Sequence, residues 1–100
     1  MRYGPEGVLA ISHLNLGHYT EAIEAAQRAI QSNPGFIHAY AVLASACQCV
    51  GRWEDAKEAV RRALALEPKF RASAYKSAPI GPADRMEALM KDLREAGLPD

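Results

Sequence analysis

The side chains able to bind a metal or act as nucleophiles are few in this 100-residue chain: His13, His18 and His38, with Cys47 and Cys49. A zinc site usually needs paired C-x-x-C elements or histidines one helical turn apart. None of these spacings fits, so no metal is expected. His13 is expected in a core, His18 in a turn and His38 at the start of a helix. The two cysteines stand two apart in a helical pattern, which aims them about 200° apart around the axis, unsuited to a mutual disulfide or a shared ion. No Ser-His-Asp order, phosphate-cradling loop or nucleophile elbow is present, and Gly4-Pro5-Glu6-Gly7 reads as a helix-start loop. The chain is expected to be no enzyme and to take no cofactor. What remains is non-covalent recognition.

Bulk properties narrow the partners. Twelve basic residues balance twelve acidic ones, so no net positive field exists to collect phosphates, and neither nucleic acid nor an anionic membrane is an expected partner. Charges interrupt every apolar run well short of the ~20 residues a membrane span needs, and the N-terminus lacks a signal-peptide pattern. With two thiols placed for no disulfide, the expected location is cytoplasmic.

The elements that must position any recognition surface are written twice. Leu16 to Phe36 reads LGHYTEAIEAAQRAIQSNPGF and Val50 to Phe70 reads VGRWEDAKEAVRRALALEPKF, at an offset of 34 with eight identical pairs. They are Gly17/Gly51, Ala22/Ala56, Glu24/Glu58, Ala25/Ala59, Arg28/Arg62, Ala29/Ala63, Pro34/Pro68 and Phe36/Phe70. Such a period marks a stacked architecture in which one unit cannot bury its apolar face alone.

Helical spacing places a first helix from about Pro5 to Leu16, closed by Gly17. Thr20 is expected to cap a second, with Ala22, Ile23, Ala26, Ala29 and Ile30 inward, until Asn33-Pro34-Gly35 stops it. A third runs from about Phe36 to Val50, carries Ile37, Tyr40, Leu43, Ala44 and Cys47, and ends at Gly51. A fourth spans about Glu54 to Leu66, with Ala56, Ala59, Val60, Ala63 and Leu64 inward and a Glu58–Arg62 pair outside. The period then fails: Ser77 stands where a large apolar residue belongs and Pro79 follows, so 71–81 is expected to be an irregular linker or at best a short helix. A last helix over 82–97 places Met86, Leu89, Met90 and Leu93 on one stripe, ends at Gly97-Leu98-Pro99, and is expected to cap the naked end of the second unit.

These residues resemble the tetratricopeptide repeat, a 34-residue helix–turn–helix unit. Tyr40, Leu43-Ala44, Gly51, Trp53, Ala56, Ala63 and Pro68 match in the second copy; Leu9-Ala10, Gly17, Tyr19, Ala22, Ala29 and Pro34 match in the first, where Glu6 replaces the aromatic and His13 takes the place of Cys47. The resemblance covers about Tyr3 to Phe70. It implies an all-α fold, a right-handed α-α superhelix of two repeats (about 3–36 and 37–70) with the C-terminal helix as cap. It also implies a scaffold or protein–protein interaction role, with a concave groove lined here by Gly7, Ile11, Leu14, Asn15, His38, Ala41, Ser45, Gln48 and Cys49. A protein or peptide partner would meet neutral and apolar contacts there. Ile11 and Ser45 stand at sites that a carboxylate-clamping member fills with basic or amide groups, so no clamp is expected. The same surface could instead be covered by the C-terminal helix or by a second copy in a homodimer. From Gly81 the tail, GPADRMEALMKDLREAGLPD, is similar to the C-terminal ends of bacterial multidomain proteins bearing nucleotide-cyclase or winged-helix domains. This resemblance implies self-association or array capping within a larger signalling protein as the alternative role.

Overall fold

The computed structural model describes residues 5–100, which form α1 (Pro5–Asn15), α2 (Tyr19–Ser32), α3 (Ile37–Cys49), α4 (Trp53–Leu66), the single turn α5 (Ala74–Ser77) and α6 (Ala83–Glu95). No strand occurs among the described residues. The proposed repeat start near Tyr3 lies outside them. α1 pairs with α2 and α3 with α4, and α2 packs on α3 to join the units.

The interior is built chiefly of small side chains. Ala22, Ala25, Ala26, Ala44, Ala46 and Ala56 are fully buried, which lets helix axes approach closely while larger residues such as Ile23, Tyr40 and Val60 fill the gaps between them. Tyr40 is fixed at both ends: its hydroxyl donates to the Pro34 carbonyl at 2.9 Å, and the Arg62 guanidinium lies 5.2 Å from its ring centroid. Arg62 is thus drawn over an aromatic face, and the expected Glu58–Arg62 pair is replaced by an ion pair between Glu58 and Arg61.

Three helices end in the same way. Gly17, Gly51 and Gly97 adopt φ of 79°, 82° and 109°, the left-handed region that glycine enters without a Cβ penalty. In each case the next residue's amide reaches back to a carbonyl five positions earlier: His18 to His13 at 2.8 Å, Arg52 to Cys47 at 2.8 Å and Leu98 to Leu93 at 2.9 Å. This is the Schellman closure expected for the last helix. Helix starts are less regular. α2 begins at Tyr19 with His18 at the cap position and no side-chain capping bond, so Thr20 is already helical and does not cap.

The linker folds more than its composition suggested. Tyr75, on α5, is buried, and Phe70 and Ala72 beside it are buried too; the Ala72 amide donates to the Pro99 carbonyl at 2.9 Å, tying linker to tail. The structure also places α6. Of the two places expected for it, the free end of the second unit or the first-helix surface, it takes a seat against α3, because α3 is the helix whose free side is apolar.

Candidate functional site

The unusual element is α3. Every residue from Ala39 to Cys47 is buried, because IHAYAVLASACQC has no charged residue and no polar side to show to water. α2 and α4 cover part of it, and α6 covers the side where a groove was expected. Met86, Leu89, Met90 and Leu93 of α6 are all at most 5% exposed. A full side chain of this size contributes about 1.5–3 kcal/mol when buried, so the four hold α6 firmly.

Polar contacts set the register of this joint. Ser45 Oγ donates to Asp92 Oδ2 at 2.8 Å, and Cys49 Sγ donates to the same oxygen at 3.4 Å. Burial, followed by the Asp92 charge and hydrogen bond, pushes the Cys49 thiol up to about 11, which leaves it protonated and weakly nucleophilic. Burial also raises Cys47. Both cysteines are free thiols, Cys47 buried and Cys49 exposed. At the α1 end, Arg85 Nη2 donates to the Leu14 carbonyl at 2.8 Å, and Asn15 Nδ2 donates to the Ile80 carbonyl at 3.2 Å. A Cβ at Gly81 would stand 2.5 Å from Asn15 Oδ1, so a larger residue there would displace the Asn15 amide.

The sequence-derived groove residues therefore gather on one face, and that face is occupied. Leu14, Ala41 and Ser45 are buried; Ile11, Asn15, His38 and Gln48 are half-buried, and only Cys49 is exposed. Gly7 is buried beneath Phe36, whose Cε2 lies 2.7 Å from where a Cβ would stand. His38 meets the linker: its Nδ1 lies 2.7 Å from the Tyr75 hydroxyl, and desolvation lowers its pKa below the ordinary 6.5. His13 departs from its expected core position. It is half-buried, with Nδ1 3.4 Å from Nδ1 of His18.

Sequence reasoning missed Asp92, Arg85 and Tyr75. The available signal was α3 itself, where Ala41, Ser45 and Val42 leave no hydrophilic side and so require a cover. Sequence reasoning expected unpartnered apolar residues on the first helix at Ile11 and Leu14, but Leu14 is buried and Ile11 half-buried, and the residues left open on α1 are Val8 at 50% and Leu9 at 45% exposure. The same tripeptide, Val-Leu-Ala, recurs one period later on α3, where Val42 is 0% and Leu43 8% exposed. There Leu43 borders a cleft with Gln27 and Ile30 of the preceding unit. Pro79 and Ile80 of the linker sit beside Val8 and Ile11 in a shallow cleft.

A family model described as tetratricopeptide repeat matches residues 13–78. No curated protein and no solved structure matches the chain. The family match stops before α6 begins. No helix among the described residues is long and apolar enough to cross a membrane.

Proposed function

Because the chain belongs to the tetratricopeptide repeat family, whose repeats generally mediate protein–protein interaction, we propose that it is a non-enzymatic interaction module whose open docking face is α1. The occupant is a helix pair of the same kind, seated on α1 as α1 and α2 sit against α3. One observation carries this reading. The Val-Leu-Ala tripeptide is closed over in the second unit, which has a predecessor, and half open in the first, at Val8 and Leu9. Covering what remains exposed of these two side chains is worth about 1 kcal/mol each. This role is the array-capping alternative: the first-helix face is filled by α6, and growth of the stack is possible on the α1 side.

The test is to place a copy of residues 5–38 directly ahead of residue 5, in the native period. Stacking predicts one cooperative melting transition raised by about 5 °C or more. An unchanged transition, or a separate one for the added unit, contradicts the proposal.

A second reading keeps the groove as a peptide site that opens when α6 leaves. It is favoured by the way α6 is seated: a single apolar stripe at Met86, Leu89, Met90 and Leu93 lies in the groove as an amphipathic ligand helix would. A partner helix with the same spacing would then meet Ile11, Leu14, Asn15, His38, Ala41, Ser45, Gln48 and Cys49. A labelled peptide of residues 82–98 should bind the Leu93→Ala variant in trans, as read by fluorescence anisotropy. Absence of binding to a folded variant removes this reading.

A further inference from the structure

We propose that His13 and His18 form a two-imidazole site for a zinc-class divalent transition-metal ion, with the remaining coordination positions left to water or to a partner's side chain. The pairing is imposed by the backbone. His13 and His18 are the two ends of the Schellman closure of α1, joined by the 2.8 Å bond from the His18 amide to the His13 carbonyl and turned at Gly17 with φ 79°. In this motif the side chains at those two positions meet, commonly as an apolar contact. The chain contains its own comparison: the equivalent positions at the end of α6 are Leu93 and Leu98, both buried. At the end of α3 they are Cys47, which is buried, and Arg52, which pairs with Asp55 at 2.8 Å. Only the first of the three turns places two metal-ligating groups there.

The geometry suits a chelate. The two Nδ1 atoms are 3.4 Å apart, with ring centroids 5.6 Å apart and planes tilted by 41°. Two nitrogens each about 2.05 Å from a tetrahedral zinc stand roughly 3.3 Å apart. The two rings share a long hydrogen bond at this separation, which the ion would replace. The closed turn fixes the two backbone positions, so only the ring rotamers remain to be ordered on binding. No group of three or more His, Cys, Asp or Glu suited to a metal occurs among the described residues, so the ion would keep open positions. Cys49 does not compete well, since its thiol is held protonated by Asp92 and burial.

The test is calorimetric titration of the tag-free full chain with zinc chloride at neutral pH. One ion per chain is expected, lost in His13→Ala and in His18→Ala and retained in His38→Gln and Cys49→Ser. Circular dichroism establishes that each variant is folded, and zinc should raise the melting temperature of the wild type but not of His13→Ala. Absence of binding to the wild type, or binding that survives in the His13→Ala/His18→Ala double variant, overturns the proposal.

Discussion

At the residue scale, Asp92 carries more of the α3–α6 joint than any other polar side chain. Its carboxylate is the acceptor for Ser45, which is 2% exposed, so Asp92→Ala strands a buried hydroxyl. The expected cost is about 1–3 kcal/mol of unfolding free energy, measured in urea. The same carboxylate suppresses Cys49, and Asp92→Asn should speed alkylation of that thiol at pH 9 several-fold while buried Cys47 stays slow. His38 supplies a pH dependence of definite sign. Burial lowers its folded-state pKa below 6.5, so below that value the unfolded chain takes up a proton that the folded chain resists. This stability is complete above the ordinary histidine range and is lost as pH falls through the folded value. His38→Gln should flatten that part of the slope on the acid side of 6.5, measured by urea unfolding as pH is lowered. These partners were not legible in the sequence, because Asp92 lies 47 residues from Ser45 and Tyr75 lies 37 from His38. Among the α3 residues the burial of Tyr40, Leu43, Ala44 and Cys47 was foreshadowed, whereas Ala41 and Ser45 were expected to line a groove.

At the element scale, periodicity read well because local rules govern it. The glycine closures at 17, 51 and 97, the stops near Pro34 and Pro68, and the stripe on α6 all follow from spacing that one helix sets by itself. The three glycines have positive φ and open space around a hypothetical Cβ, so Gly51→Ala should cost only the conformational penalty, about 1–2 kcal/mol by chemical denaturation. Helix starts read less well: Thr20 offered a hydroxyl, yet the chain enters α2 from His18 without a side-chain cap, because the tight glycine turn already fixes the entry. The seat of α6 is a tertiary choice between two faces, and local pattern does not decide it. It is made by the apolar side of α3. Leu93, 1% exposed in that seat, should cost about 2–5 kcal/mol when changed to Ala, with the melting temperature falling accordingly.

At the scale of the whole molecule, the extents are 28 × 28 × 26 Å and the radius of gyration is 11.6 Å, below the ~13 Å typical of 100 residues. A two-unit superhelix with an empty groove would be more elongated. The chain's own last helix packs along α3, while Val8 and Leu9 of α1 stay half exposed, which is the observation behind the proposed docking face. The repeat made this partly legible. Residues 8–10 and 42–44 are the same tripeptide, but only the structure shows one covered and the other open.

The most direct test compares Leu9→Asp in two backgrounds by denaturant unfolding: the 100-residue chain and the chain with a copy of residues 5–38 placed directly ahead of residue 5. If α1 is a docking face for a like helix pair, the substitution costs less than about 1 kcal/mol in the first and at least about 2 kcal/mol more in the second, where the carboxylate would be buried without a partner. Equal costs in the two backgrounds would contradict the account.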